Sequence, residues 1–320
     1  MEAPFNTMHS KVNTALREVK DYLLYLLVRL FVCFVQAISL ETCERVAEWL
    51  ATVCTHVIPL RRRLVEENLR HAFPDLSEAK QKEIARGMWK HLFLLVAEVA
   101  HAPRKIHETN WRDYVRICDG EGMVRRLLDD RPFLIVSGHF GNFELAGFIL
   151  GILGFPTYSV ARPLDNPHLH KFIASFRGAS GQHIIPTKGG YDDILAVLAS
   201  GGTMALLADQ YAGSKGCWVD FFGRPASAHK AIALLALDSD APVAAGYTMR
   251  LDGPLKYEMA VWGFLDPRDA SAEAALKGIG PLTQWYTSAI EGFVRLAPEQ
   301  YWWLHDRWKD RRKQRRKKAA

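Results

Sequence analysis

Residues 133–144 read FLIVSGHFGNFE and predict a buried strand, a turn and the start of a helix. Phe133 to Ser137 is a short, continuous apolar run, which is typical of a strand covered on both faces. Gly138 and Gly141 bracket His139 and permit a tight turn. Ligands bind at the carboxyl ends of strands in parallel sheets, so this turn is a candidate site.

Strands and helices alternate along the chain after this stretch. We predict strands at residues 157–160, 183–185, 203–208 and 242–249, and an edge strand at 257–262. We predict helices at residues 142–153, 167–176, 191–199, 228–237 and 270–296. This alternation indicates an α/β fold with a mostly parallel central sheet flanked by helices.

The N-terminal region is predicted to be helical. Residues 22–40 read YLLYLLVRLFVCFVQAISL, about the length of a membrane span. Arg29 lies near the middle of the run, and a central Arg costs about 2.5–3.5 kcal/mol on insertion scales. A membrane span, a helix lying in the membrane interface and a buried core helix all remain open. Two more helices are expected at residues 41–55 and 80–100; Asp75 or Ser77 would cap the second, and Pro103 would end it.

The basic charge of the chain is concentrated at its C-terminal end. Of 320 residues, 41 are Lys or Arg and 35 are Asp or Glu, giving a net charge of +6. Residues 307–318 hold nine Lys or Arg and one Asp, so the rest of the chain carries −2. Such a distribution disfavours a nucleic-acid-binding domain. It suits an anionic membrane surface, although a solvated tail is the alternative.

Three regions are therefore expected: a helical membrane-associating region at 1–110, an α/β domain at 111–306 and a basic tail at 307–320. The five cysteines include no CxxC pair, which suggests neither a disulfide framework nor a zinc site. Free thiols fit a reducing, cytosolic setting.

His139 and Glu144 form a candidate catalytic pair. The pKa of a histidine lies near neutral pH, so it suits removal of a proton from a hydroxyl. Glu144, five residues on, would fold back across one helical turn and orient the imidazole. The spacing alone is a weak signal; its place after a buried strand strengthens it.

The sequence contains no competing nucleophile motif. It has no GxSxG elbow, no HExxH and no Walker sequence. An acyl transfer would therefore use a donor that is already activated, such as a thioester, with no metal or other cofactor required.

Six ordered sequence blocks identify a resemblance to a known family. They are Asn68-Leu69 with Ala72-Phe73-Pro74, His139-x4-Glu144, Arg162-Pro163 through Asn166-Pro167, Ala208-Asp209-Gln210, residues 219–226 (VDFFGRPA) and residues 298–307 (PEQYWWLHDR). Together they resemble the bacterial lipid A biosynthesis (lauroyl and myristoyl) acyltransferases of the lysophospholipid-acyltransferase superfamily. The second block matches that family's HX4D/E motif. Residues 227–230 (SAHK) depart from the family pattern.

The resemblance implies a glycerol-phosphate-acyltransferase-like fold and site roles for further residues. Arg162 would bind a phosphate or the thioester oxygen, with a surface salt bridge as the alternative. Asp209 would orient Arg162 or an amide of the site, with a loop cap as the alternative. Lys230 would contact phosphate at a helix start, and Asn142 would bind substrate or only cap the helix.

The resemblance also implies the reaction and its setting. An acyl group would pass from acyl carrier protein, or alternatively acyl-CoA, to a hydroxyl of a lipid A precursor, at the cytoplasmic face of the inner membrane. Two alternatives stay open: a related acyltransferase with another glycolipid or lysophospholipid acceptor, and an inactive lipid-binding homologue.

Overall fold

The computed structural model of the chain describes residues 3–58, 60–269 and 278–309. Its N-terminal part is helical: α1 Ala3–Ala37, α2 Leu40–His56, α3 Arg62–Ala72 and α4 Glu78–Lys105. The remaining helices are α5 Gly120–Leu127, α6 Phe143–Ile152, α7 Pro167–Gly178, α8 Tyr191–Ala199, α9 Ala231–Asp238 and α10 Ile279–Leu296. The strands are β1 Val115–Cys118, β2 Phe133–Ser137, β3 Thr157–Ala161, β4 Gln182–Pro186, β5 Thr203–Leu207, β6 Cys217–Phe221, β7 Arg224–Ala228, β8 Val243–Arg250 and β9 Tyr257–Leu265.

A seven-stranded sheet forms the centre of the described part of the chain, in the order β1-β9-β8-β2-β5-β3-β4. The contact of β8 with β9 is antiparallel, and every other pairing in this sheet is parallel. The predicted α/β class with a mostly parallel sheet is therefore confirmed. Strands β6 and β7 form a separate antiparallel hairpin.

The predicted position of the strand at 257–262 is wrong. This strand is β9, and it lies inside the sheet because β1 pairs with its outer side. The sheet edges are β1 and β4. The sequence pattern does not predict β1, α3, α5 or the β6–β7 hairpin. The helix predicted after β7 begins too early, since Ala228 ends β7.

The two helices predicted between residues 41 and 100 are present. Ser77 caps α4 by accepting a hydrogen bond from the backbone N–H of Lys80 at 3.3 Å. Pro103 does not end this helix, which continues to Lys105. A proline two residues before the last helical residue removes only one helical hydrogen bond, so the last turn still forms. Residues 270–277, predicted as the start of α10, lie outside the described residues.

Most of the apolar run at residues 22–40 forms the second half of α1, which ends at Ala37, and Leu40 begins α2. By length and composition, no single described helix meets the criteria for crossing a bilayer. Residues 14–37 and α2, bent by 119° at the break between them, meet these criteria as a pair. The side chain of Gln36 donates to the backbone oxygen of Ala100 at 2.7 Å, which joins α1 to α4.

The C-terminal residues close the fold. Arg307, counted with the basic tail in the sequence analysis, is 2% exposed and donates to the backbone oxygen of Ser227. The folded domain therefore extends past residue 306. Most of the predicted tail, residues 310–320, lies outside the described residues.

Candidate active site

Two adjacent parallel strands bring the central residues of the site together. Strands β2 and β5 pair with Ser137 opposite Leu207. His139 and Asp209 each follow two residues later, so both side chains lie at the carboxyl edge of the sheet. This is the edge at which α/β proteins bind ligands.

Asp209 holds both the backbone and the ring of His139. One carboxylate oxygen accepts from the backbone N–H of His139 at 2.8 Å, and the other contacts ring atom Nδ1 at 2.8 Å. Because a carboxylate only accepts, Nδ1 carries the proton and Nε2 of the neutral ring is unprotonated. The side-chain amide of Gln210 lies 3.4 Å from that Nε2.

The electrostatics of the pair favour a charged carboxylate beside a titrating imidazole. Burial alone would lower the pKa of His139, but the charge and hydrogen bond of Asp209, with the charge of Glu144, raise it above its ordinary value. Burial opposes ionisation of Asp209, yet the charge and hydrogen bonds of His139 lower its pKa to about 2. Asp209 therefore stays ionised at neutral pH and stabilises an imidazolium.

Glu144 does not orient the imidazole, contrary to the sequence analysis. Its carboxylate forms a bidentate ion pair with the guanidinium of Arg177 on α7, with Nε to Oε2 at 2.9 Å. The residue in contact with ring atom Nδ1 is Asp209, which therefore orients His139 and not Arg162 or an amide as the resemblance implies. Glu144 and Arg177 both line the cavity that reaches His139.

The turn between β2 and α6 is fixed by the C-terminal block of the chain. The backbone N–H of Gly141 donates to the oxygen of Gln300 at 2.9 Å, and that of Trp302 donates to the oxygen of His139 at 3.0 Å. Gly141 has φ +56°, and a Cβ there would lie 1.8 Å from the backbone oxygen of Thr248. This position therefore requires glycine.

A buried polar network supports the same turn from behind. Glu98, which is fully buried, forms an ion pair with Arg250, and Arg250 also contacts Nδ1 of His91. Since Nδ1 of His91 must accept from a guanidinium, its Nε2–H donates to the backbone oxygen of Gly141, at 3.1 Å. Burial, followed by the charge of Arg250, lowers the pKa of His91 well below its ordinary value, so this ring is neutral.

A cavity of about 1140 Å³ opens beside His139. It runs under α5 and α6, and its floor includes small residues of the sheet such as Ala205, Gly246 and Ala260. Cys118 at the end of β1 also lines it. Strand β1 lies three strands from β2, which is about 14 Å at the usual strand spacing. The cavity is therefore long and mostly apolar, as a fatty acyl chain requires.

The other predicted site residues divide into those at the cavity and those away from it. Arg162 lines the cavity, is largely exposed and pairs with Asp165 at 3.1 Å. Asn142 is fully buried and caps α6 by accepting from the backbone N–H of Leu145 at 3.0 Å, so it does not reach a substrate. Lys230 is exposed at the start of α9 and does not line the cavity, whereas His229 does.

Sequence reasoning gave no site role to several residues that the structure places there. Gln210 and Trp302 lie against His139, and both belong to the sequence blocks that carried the resemblance. Their position in those blocks was the available signal. Arg177 and Arg61 had no such signal, because only the folding of α7 and α3 brings them to the site.

Sequence comparisons with known proteins identify one family. The profile of the family described as bacterial lipid A biosynthesis acyltransferase matches residues 9–310. The chain is 24% identical over 314 residues to the lipid A biosynthesis lauroyltransferase of Escherichia coli, covering 94% of this chain and 96% of that protein. It is 22% identical over 253 residues to the lipid A biosynthesis acyltransferase of Haemophilus influenzae, covering 78% and 76%.

Among solved structures, the chain is similar to the 1-acyl-sn-glycerophosphate acyltransferase PlsC from Thermotoga maritima. The identity is 14% and the TM-score 0.38, over 81% of this chain and 99% of that chain. At that score the likeness adds nothing to the topology described above. The family match covers nearly the whole chain and includes both the His139 turn and the Asp209 strand end. The chain is an acyltransferase and belongs to the bacterial lipid A biosynthesis acyltransferase family.

Proposed function

We propose that this acyltransferase moves a fatty acyl group from a thioester donor, acyl carrier protein or alternatively acyl-CoA, to a hydroxyl of a lipid A precursor. One observation carries the proposal: the proton-accepting nitrogen of an Asp209-bound His139 lies at the wall of a long apolar cavity. The cavity suits the acyl chain, and the imidazole suits the hydroxyl.

In the proposed reaction, Nε2 of His139 accepts the proton of the acceptor hydroxyl as its oxygen bonds to the thioester carbonyl carbon. The carbon–sulfur bond then breaks, and the thiolate takes the proton back from the imidazolium. Asp209 holds the ring in the required tautomer throughout. No covalent enzyme intermediate is needed, because the thioester is already activated.

Two arginines are proposed to act on the oxygens of the substrates. Arg177, fixed by its ion pair with Glu144, provides hydrogen-bond donors at the cavity wall. Arg162, at the exposed part of the wall, is positioned for a phosphate or for the thioester oxygen. In this proposal, Glu144 positions Arg177 and raises the pKa of His139 through its charge.

The experiment that tests the proposal is acyl transfer by the purified chain, with acyl carrier protein and CoA thioesters and a panel of lipid acceptors. His139→Ala should abolish transfer, and thermal unfolding should show that the variant still folds. His107→Ala, which removes an exposed histidine in the loop after α4, is the matched control. Wild-type turnover by the His139 variant, or no transfer to any lipid A precursor by the wild type, would refute the proposal.

We also propose that α1 binds the anionic cytoplasmic face of the inner membrane. Large apolar side chains between residues 16 and 34 of this helix are 38–66% exposed, including Leu27 and Leu30. Arg29, which made a clean span doubtful, has its guanidinium 5.0 Å from the ring of Phe172 on α7. An exposed apolar helix face of this kind suits the membrane interface. Leu27→Glu should reduce co-sedimentation with anionic vesicles, and unchanged binding would contradict this assignment.

A further inference from the structure

The sheet alone does not fix the contact between His139 and Asp209. The backbone hydrogen bonds that join β2 to β5 end at Ala208, whose N–H donates to the oxygen of Ser137 at 2.8 Å. Asp209 and the two residues after it lie beyond this ladder, in a segment without regular secondary structure. The position of the Asp209 carboxylate therefore depends on the groups that hold this segment.

Two side chains near the C-terminal end of the described chain hold the segment after β5. Nε2 of His305 accepts from the backbone N–H of Tyr211 at 2.7 Å. Nη1 of Arg307 donates to the backbone oxygen of Gln210 over a longer distance, 3.4 Å. The shorter contact lies only two residues from Asp209, so His305 is the tighter of these two anchors.

His305 is itself held in place by α3. The side-chain nitrogen of Asn68, which is 4% exposed, donates to the backbone oxygens of Trp303 and His305, both at 2.8 Å. The same segment reaches the turn after β2, because the backbone N–H of Trp302 donates to the oxygen of His139 at 3.0 Å. Residues 302–305 therefore connect the loops after β2 and β5, and α3 fixes them.

The hydrogen bond to Tyr211 requires a neutral His305, since a protonated imidazole has no acceptor nitrogen. Burial has the largest effect and lowers the pKa of His305 below its ordinary value. The charges of Arg307 and His139 also lower it, whereas those of Asp209 and Asp306 oppose them. At neutral pH the ring is therefore neutral, with its proton on Nδ1 and Nε2 able to accept.

We propose that His305 is a positioning residue of the acyl transfer: by holding the backbone of Tyr211, it keeps the Asp209 carboxylate against Nδ1 of His139. The inference rests on the proposed function, because it takes His139 as the base. Without this anchor the carboxylate is free to move away from the ring. The neutral imidazole of His139 then carries its proton on Nε2 in part of the molecules, and those molecules lack a base.

His305→Asn and His305→Gln form a matched pair that tests this role. The side-chain oxygen of Gln is as many bonds from the backbone as Nε2 of His, so it reaches the N–H of Tyr211 as an acceptor. The oxygen of Asn is one bond closer to the backbone and falls short. His107→Ala, which changes an exposed histidine, is the control, and thermal unfolding checks that each variant folds.

The kinetic expectation is a loss in kcat with unchanged KM. His305→Asn should lower kcat about tenfold, as the loss of one well-placed hydrogen bond allows, and leave the KM of donor and acceptor unchanged. The midpoint of the kcat/KM profile should move to lower pH, because Asp209 raises the pKa of His139. His305→Gln should restore both quantities towards the wild type.

A double-substitution cycle shows whether His305 acts through Asp209. In an Asp209→Asn background the contact that His305 protects is already lost, so adding His305→Asn should have little further effect on kcat. Equal losses in the two backgrounds would overturn the inference. A raised KM with unchanged kcat would also overturn it, since His305 would then contact a substrate.

NMR of the ring nitrogens, with isotope-labelled histidine and no substrate, gives a direct readout. His139, assigned by comparison with His139→Ala, should carry its neutral-state proton on Nδ1 in the wild type and in His305→Gln. In His305→Asn the Nε2-protonated form should appear, and its absence would contradict the proposal. If His305→Asn does not fold, an altered tautomer in His305→Gln has the same force. Because this measurement needs no turnover, its failure is distinguishable from failure of the proposed reaction.

Discussion

Replacement of Asp209 by Asn isolates the role of the buried carboxylate. Asn has the same shape, so the fold should persist, but it has only one oxygen. That oxygen must accept from the backbone N–H of His139. The opposite orientation of the Asn amide would place its N–H against this buried backbone N–H, leaving both donors without an acceptor. The amide of Asn then faces ring atom Nδ1 and donates to it. The proton of the ring moves to Nε2, where the lone pair is needed.

The size of the effect follows from the two bonds that change. A neutral hydrogen bond of about 0.5–1.5 kcal/mol now favours the wrong tautomer, and a charge-assisted bond of about 1.5–3 kcal/mol to the imidazolium is lost. At about 1.36 kcal/mol per tenfold change, kcat should fall roughly 30-fold to 2000-fold.

The pH dependence supplies a second readout. The base must be neutral, so kcat/KM rises with pH through the pKa of His139, which Asp209 holds above its ordinary value. Without the carboxylate charge that pKa falls, and the midpoint of the profile must move to lower pH. A merely structural role for Asp209 would not move the midpoint.

The assay is steady-state acyl transfer across a pH series, with thermal unfolding as the check on folding. Asp192→Asn, an exposed Asp on α8, is the control and should match the wild type. An Asp209→Asn enzyme with wild-type kcat and an unmoved midpoint would refute the assignment of this residue as the orienting group.

Two further substitutions test the turn and the cavity. Gly141→Ala should destabilise the protein by more than about 1–3 kcal/mol, because the new Cβ clashes with Thr248 and the backbone keeps an unfavourable φ. Gly154→Ala is the control: Gly154 has φ +87° with open space around it, so this variant should show only the backbone strain. Urea unfolding measures both, and equal losses would contradict the close contact. Cys118→Phe fills the cavity beside β1 and should lower kcat/KM for long acyl donors more than for short ones. Equal effects across a donor series would show that the acyl chain does not reach that strand.

The central sheet was largely predictable because its inner strands are short apolar runs separated by helices. Strand β1 was not, since its four residues, VRIC, include an Arg and carry little pattern. Without β1, the sequence places β9 at an edge of the sheet. By contrast, the strands Phe133–Ser137 and Thr203–Leu207 are apolar at almost every position, and this pattern predicts buried strands.

The pairing of site residues depended on information that periodicity does not contain. His139 and Asp209 meet because β2 and β5 are neighbours, although two strands intervene in the sequence. Glu144 is only five residues from His139, yet Arg177 of α7 binds its carboxylate. Proximity in the sequence suggested the wrong partner, and strand order determined the right one.

The two carboxylates near His139 differ in environment, and this difference explains why they take different roles. Asp209 is 5% exposed and is held by the backbone and ring of one residue, so its charge acts on the imidazole at short range. Glu144 is more exposed and is paired with a cation, which reduces its effect on the ring. The hydrogen bond between His139 and Asp209 matters more for proton transfer than total negative charge, because only a fixed hydrogen bond selects the tautomer. This arrangement keeps Nε2 of the neutral imidazole unprotonated at the cavity wall, as removal of a proton from a hydroxyl requires.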